Sequence, residues 1–252
     1  MNLHQRRHQL LLVVNTEGRQ SIEDLARRFN VSIQTIRADV RALVERGLVM
    51  RRHGEVVPPP TRENAAYGHR QIVNHKGKQA IARLCLNLIS DDQTLMLGTG
   101  TTVEHLASLL RVRSGLNVIT NNFHAAHILC EHQDCSLTIA GGRMRKRDFD
   151  VIGGDTLQFF KRYEADVGVV SVGGLSERGK LYDYNDEEVM ARESLMQASR
   201  TRILVVDSCK FGIETHCTTA TLGDFDAVIT DQPLNERVRA YYTAKGVRFL
   251  SP

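Results

Sequence analysis

Cysteine, proline and long apolar runs are all scarce in this chain, and each scarcity removes a class of protein. The five cysteines, Cys85, Cys130, Cys135, Cys209 and Cys217, are odd in number and form no Cys-x-x-Cys pair, which argues against a disulfide framework and a zinc ribbon. No apolar stretch approaches the roughly 20 residues needed to span a bilayer. The start Arg6-Arg7-His8-Gln9-Leu10-Leu11-Leu12-Val13-Val14 imitates a secretion signal. Its apolar run is short, however, and passes into Asn15-Thr16-Glu17-Gly18 without a small-residue cleavage site, so it reads as a helix. A cytoplasmic protein with reduced thiols is expected. Three of the five prolines are Pro58, Pro59 and Pro60. This run resists helix and sheet and, with the polar Thr61-Arg62-Glu63-Asn64 behind it, marks a semi-rigid boundary.

Lysine is absent before Glu55, where all ten basic residues are arginine. Against them stand Glu17, Glu23, Asp24, Asp39, Glu45 and Glu55, so ten minus six leaves +4. The whole chain also carries 33 − 29 = +4, so the remainder balances and the entire excess lies in the first fifth. Arginine suits bidentate contacts to phosphate and guanine, and an asymmetry of this sign points to nucleic acid rather than membrane. The 252 residues, 42% hydrophobic and 25% charged, are ordinary for a globular chain. The expected division is a DNA-binding domain over 1–57, a linker over 58–69, and a larger domain over 70–252.

In the first domain Ser21 and Ser32 are placed to cap two short helices. Ile36, Val40, Leu43 and Val44 recur at the spacing of one buried stripe, leaving Gln34, Thr35, Arg37 and Arg41 outside it. Gln pairs bidentately with adenine, Arg with guanine, and Thr offers hydroxyl and methyl, which is the chemistry of a helix that reads a major groove. Past Gly47, the stretch from Leu48 to Val57 suits a small hairpin, a wing with Arg51, Arg52 and His53 near its tip. Ser32, Gln34, Thr35, Arg37, Arg41, Arg51, Arg52 and His53 are therefore the expected DNA contacts. The plainer alternative is a solvated helix pair with a basic edge.

Beyond the prolines, a helix is expected over Lys78–Ile89, after which strands and helices alternate. Thr94–Leu97, Leu116–Thr120, Ser136–Ala140, Ala165–Val172, Arg202–Asp207 and Ala227–Asp231 read as buried strands, separated by helices such as Val103–Leu110, Phe123–Glu131 and Glu187–Ser199. The pattern predicts an α/β sheet, largely parallel. Ligands of such sheets bind beyond the carboxyl ends of the strands. There the chain places Gly98-Thr99-Gly100-Thr101-Thr102, Asn121-Asn122, Gly141-Gly142-Arg143, Gly173-Gly174 and Asp207-Ser208-Cys209-Lys210-Phe211. Gly100, Thr101 and Thr102 offer backbone N–H groups, hydroxyls and a helix N-terminus to a phosphate. The loop lacks the Lys-Ser/Thr of a P-loop, so neither ATP nor any other cofactor is expected. Lys210 and Arg143 can supply charge, and Asn121, Asn122, Glu188 and Asp207 can hydrogen-bond hydroxyls; each, taken singly, also reads as an ordinary surface polar group. His124, His127, Cys130, His132 and Cys135 match no zinc spacing, and no metal is expected.

The run Ser32-Ile33-Gln34-Thr35-Ile36-Arg37-Ala38-Asp39-Val40 and the wing Arg52-His53-Gly54 carry a family resemblance. So do Gly100-Thr101-Thr102, Thr120-Asn121-Asn122, Ala140-Gly141-Gly142, Ile152-Gly153, Asp207 with Lys210-Phe211, and Thr230-Asp231. Together, over nearly the whole chain, they resemble the DeoR family of bacterial transcriptional regulators, especially its glycerol-3-phosphate-repressor-like branch. The resemblance implies a winged helix-turn-helix joined to an α/β sensor domain similar in fold to ribose-5-phosphate isomerase. It also implies a phosphorylated sugar or polyol as effector and self-association, as a homodimer or homotetramer. Two positions depart from the family: Ala38 stands where members often carry Arg, and Gly98 where an acidic residue often stands. The expected function is repression of a carbohydrate-catabolism operon. The rival is an aldose-ketose isomerase in which Lys210, Asp207 and Glu188 do acid–base chemistry, but an isomerase has no use for arginine-rich helices ahead of a proline hinge.

Overall fold

Capping rules legible in residues 21–45 are obeyed in the computed structural model, which describes residues 3–45, 48–52, 54–58 and 67–252, apart from the side chains of His4, His8, Leu12, Asn15, Thr16 and His69. Helix α1 (Leu3–Glu17) precedes the pair α2 (Ile22–Phe29) and α3 (Ile33–Glu45). The Ser21 hydroxyl accepts the Asp24 N–H at 3.0 Å, and the Ser32 hydroxyl accepts that of Thr35 at 3.1 Å. Between the two helices Asn30 takes a left-handed φ of 50°, a conformation asparagine tolerates, and turns the chain. Strands β1 (Met50–Arg52) and β2 (Glu55–Val57) pair antiparallel as the expected wing, with Val56 bridged to Gln20.

Leu10, Leu11, Val14, Leu25, Ile36, Val40, Leu43, Leu48, Val49 and Val56 form the core of this unit. Val44, expected in the buried stripe, is 37% exposed; at roughly 100° per residue it lies about 80° around α3 from Ile36. Asp39 takes the inward place instead, 1% exposed, accepting from Arg6 Nε at 2.6 Å and Arg7 Nε at 2.8 Å. Helix α4 (Tyr67–Ile72) occupies the end of the expected linker and the first residues beyond it, and its Ile72 packs against this core. The two compact units divide between Val73 and Asn74.

The second unit follows as α5 (His75–Leu86), β3 (Thr94–Leu97), α6 (Thr101–Leu109), β4 (Leu116–Thr120), α7 (Phe123–Leu129), β5 (Cys135–Ile139), β6 (Arg143–Arg145), β7 (Asp150–Ile152) and α8 (Gly154–Phe160). It continues as β8 (Ala165–Val170), β9 (Gly174–Leu175), β10 (Lys180–Asp183), α9 (Asp186–Gln197), β11 (Ser199–Val205), β12 (Cys217–Thr221), β13 (Ala227–Ile229), α10 (Glu236–Thr243) and β14 (Arg248–Leu250). Seven strands pair throughout in parallel, in the order β14-β13-β11-β8-β3-β4-β5. Successive side chains alternate between the sheet faces. Leu95, Leu97, Val118, Val169 and Ile203 join α5, α6 and α7 in one core, while Met96, Ile119, Val170, Leu204 and Val228 join residues of α8, α9 and α10 in the other. Both faces are covered, which is why the strands read as near-continuous apolar runs. An antiparallel sheet, β12-β10-β9, and the hairpin β6–β7 complete the unit.

Substituting Asp39→Ala leaves the Arg6 and Arg7 guanidinium groups without their counter-charge. Because both still reach water, the expected loss is about 1–3 kcal/mol in the first unit. Faster amide hydrogen exchange along α3 of the full chain is the expected result; unchanged exchange would mean that the clamp does not hold the helix.

Candidate nucleic-acid interface and effector site

Five of the ten arginines described in the first unit are already occupied by acids. Arg6 and Arg7 serve Asp39, Arg19 lies 3.3 Å from Glu55, Arg27 pairs with Asp24, and Arg28 lies 2.6 Å from Glu17. Among the described residues Arg37, Arg41, Arg51 and Arg52 have no ion pair, and all four are exposed. They are the cations expected on the recognition helix and the wing. Gln34 is exposed beside them, Thr35 is half-buried, and Ser32 is spent on starting α3. His53 lies outside the described residues.

In the second unit the winding of the sheet reverses between β3 and β8: β4 and β5 extend it to one side, and β11, β13 and β14 to the other. This is the place where an open parallel sheet leaves a crevice at its carboxyl edge. A cavity of about 10 Å³ sits there, lined by Gly98, Thr99, Asn121, Val170, Ser171, Glu188, Ala191, Arg192 and Leu195. That is room for about one water. Gly100 opens α6 with a φ of +119°, a conformation that L side chains rarely adopt. Thr101 and Thr102 are 5% and 2% exposed in the first turn of α6, so their side chains lie beneath the surface rather than on it.

Several expected hydroxyl-binding groups have partners within the protein. Asn121 Nδ2 donates to the Val151 carbonyl at 2.9 Å. Asn122 Oδ1 caps α7, accepting from the His124 and Ala125 amides at 3.0 and 3.1 Å. Asp207 accepts the Cys209 N–H at 3.2 Å and starts a 3-10 turn, Ser208–Lys210, on which Lys210 is half-buried. Glu188 accepts from Arg145 at 2.8 Å, and the exposed Arg143 pairs with Glu187. Gly141 and Gly142 are exposed at the start of the β6–β7 hairpin, and Arg145 joins that hairpin to α9.

Sequence reasoning missed Arg145, Asp183 and Arg192. Arg145 gathers Asp148, Asp150 and Glu188, with Nε 2.9 Å from Asp150 Oδ1. Burial alone disfavours its charge, but the carboxylates of Asp150 and Glu188 outweigh that and raise its pKa. Arg192, 6% exposed, pairs with Asp183 and donates to Thr219 Oγ1 at 3.0 Å. Burial pushes the Asp183 carboxyl up to about 6; Arg192 and Lys210 pull it down, and Glu188 adds to the rise. One signal could have found this face: Glu188, Ala191, Arg192 and Leu195 stand at the spacing of a single helix face, with two charges among small and apolar residues.

Asp183 has a pKa higher folded than unfolded, so its protonation favours the fold: that stability is full below about pH 4 and is lost as pH rises through about 6. Arg192→Met removes the cation that tolerates the charged form. The expected loss is about 3–5 kcal/mol at pH 8, and markedly less at pH 5, where the stranded carboxyl is neutral. Urea melts of the variant and the parent at both pH values measure this; an equal loss at both would mean that Asp183 is not the group left uncompensated.

Residues 6–59 match the model of the DeoR-like helix-turn-helix domain, and residues 73–232 that of the DeoR C terminal sensor domain. The chain is 34% identical over 233 residues to the glycerol-3-phosphate regulon repressor of Escherichia coli (strain K12), with 92% of each chain covered. It is 32% identical over 227 residues to the HTH-type transcriptional repressor CsqR of the same organism, covering 90% of this chain and 87% of the relative. Among solved structures, ribose 5-phosphate isomerase A from Methanocaldococcus jannaschii aligns with a TM-score of 0.42 and 16% identity over 55% of each chain. The chain belongs to the DeoR family of transcriptional regulators.

Proposed function

We propose that the protein is a cytoplasmic repressor of a carbohydrate-catabolism operon, whose affinity for duplex operator DNA is set by a phosphorylated sugar or polyol. The observation that carries the DNA half is the distribution of cations in the first unit: among its described residues, the exposed arginines without an acidic partner are those of α3 and the wing. In this reading Arg37, Arg41 and Gln34 face the major groove and Arg51 and Arg52 the backbone. One α3 covers a half-site, so a homodimer or homotetramer reads a two-fold operator.

For the effector half, the reversal between β3 and β8 and the helix-opening loop at Gly100 support a phosphate on Thr101, Thr102 and Lys210. Relatives are named for a glycerol-3-phosphate regulon, which is consistent with a small phosphorylated polyol. The isomerase reading is less well supported, because Glu188 is held by Arg145 and Asp207 by its own turn. Neither is left over for acid–base work.

Arg37→Ala is expected to cost about 1–3 kcal/mol on a selected operator duplex and to relax its base preference. Arg52→Ala should instead weaken all duplexes alike and lower the slope of log K against log salt by about 0.9. Equal loss for Arg37→Ala on selected and random DNA would reassign that residue to the backbone. The pair Thr101→Val, Lys210→Ala should keep operator affinity and abolish the effect of the phosphorylated sugar found by thermal-shift screening. A full response from that variant would place the phosphate elsewhere.

A further inference from the structure

Asn74, the first residue of the sensor unit, has its backbone in the left-handed region, with φ of 51°. It stands at the N-cap of α5, yet its side chain makes no capping bond. Its amide donates instead to Asp231 Oδ2 at 2.7 Å and to Ser208 Oγ at 3.4 Å. Asp231 in turn accepts the Ser208 backbone N–H at 2.6 Å through Oδ1 and the Ser208 hydroxyl at 2.9 Å through Oδ2. Gly77 allows these groups to close on α5, because a Cβ there would lie 2.4 Å from Asn74 Oδ1 and 2.5 Å from Asp231 Oδ2. Ser208 begins the 3-10 turn that carries Lys210.

The next residue, His75, packs edge-on against His105, with ring centroids 4.8 Å apart. His105 lies one turn along α6 from Thr101, on the helix that Gly100 opens. Two consecutive residues at the entry to the sensor unit therefore reach the two separate parts of the effector site: the Lys210 turn through Asp231 and Ser208, and the threonine helix through His105.

We propose that Asn74 and His75 are positioning residues for the effector response, tying the chain that arrives from the DNA-binding unit to the turn and the helix that hold the effector's phosphate. The inference rests on the effector reading above. A ligand changes DNA affinity only by binding two arrangements of the chain unequally. Phosphate drawn to Lys210 acts on a turn whose first residue cannot shift without giving up its two bonds to Asp231, and Asp231 holds Asn74. The relay from effector site to chain entry is three side chains long.

The test uses the full chain with Asn74→Gly, which keeps the left-handed backbone at no steric cost and removes the side chain that bonds Asp231 and Ser208. The DNA probe is a duplex enriched from a random pool by the parent protein; glycerol 3-phosphate, ribose 5-phosphate and glucose 6-phosphate are the effector probes. With the probe it takes up, the parent is expected to change its duplex affinity roughly 5- to 150-fold. Asn74→Gly is expected to bind the duplex and the probe separately as the parent does, while the change shrinks to less than about twofold. Should Asn74→Gly fail to fold, Asp231→Ala removes the carboxylate that joins Asn74 to Ser208, with the same expected outcome. A variant that keeps the full response overturns the relay and leaves the effector reading standing. A variant that binds DNA and probe more weakly but keeps the ratio shows scaffolding alone and overturns it too. A parent protein that takes up none of the probes overturns the effector reading, and the relay with it.

Discussion

Everything in the sensor unit depends on the reversal of winding between β3 and β8. Two adjacent parallel strands whose onward connections leave in opposite directions have a crevice at their carboxyl ends that neither connection fills. Backbone groups there need partners, and the chain provides them locally. Gly98 N–H reaches the Val169 carbonyl at 2.9 Å, Thr120 Oγ1 reaches the Leu97 carbonyl at 2.6 Å, and Asn122 caps α7. These bonds give the crevice a defined floor, in which Asn122 also starts a helix.

Above that floor stands a group of buried charges. Asp148, Asp150, Asp183 and Glu188 face Arg145 and Arg192, with Lys210 acting from the turn. Burying ions is costly, and such networks add little net stability compared with apolar packing. Their value is geometric: the planar forks of arginine hold several carboxylates at once, so the β6–β7 hairpin, β10 and α9 keep fixed places around the crevice.

How much of this was legible in the sequence depends on the range of the interaction concerned. Ser21 and Ser32 act within three residues, and both helix starts were readable. Strands Thr94–Leu97 and Leu116–Thr120 were readable to the residue, because Leu95-Met96-Leu97 and Val118-Ile119 stand as buried apolar runs bounded by polar turns. The strand expected to reach Val172 leaves the ladder after Val170, since the chain must depart there to form the crevice. The antiparallel strands β6, β7, β9 and β10, two to four residues long and outside the main sheet, carry too little alternation to register. The charged clamps were hidden for a different reason. Arg145 and Glu188 are 43 positions apart, and Arg6 and Asp39 are 33 apart. A charge reads as solvated until its partner is known, and the partner comes from the tertiary fold.

A close-packed sheet covered on both faces does not deform continuously, which limits where an effector signal can travel. The strands β3, β4, β8, β11 and β13 are fixed by their two cores, so the response must run through the segments that leave their carboxyl ends. Of these, the segments after β4 and β8 lead into α7 and into the antiparallel sheet, away from the start of the unit. Those after β11 and β13 bring Ser208 and Asp231 to Asn74, where the chain enters. The cavity at the crevice is about 10 Å³, far smaller than a sugar phosphate. In the proposed reading an effector there moves the surrounding loops, and the loops that can move without breaking the sheet include the ones tied to the entry point. Coupling to the DNA-binding unit in that reading then needs no long pathway, only an effector larger than the crevice.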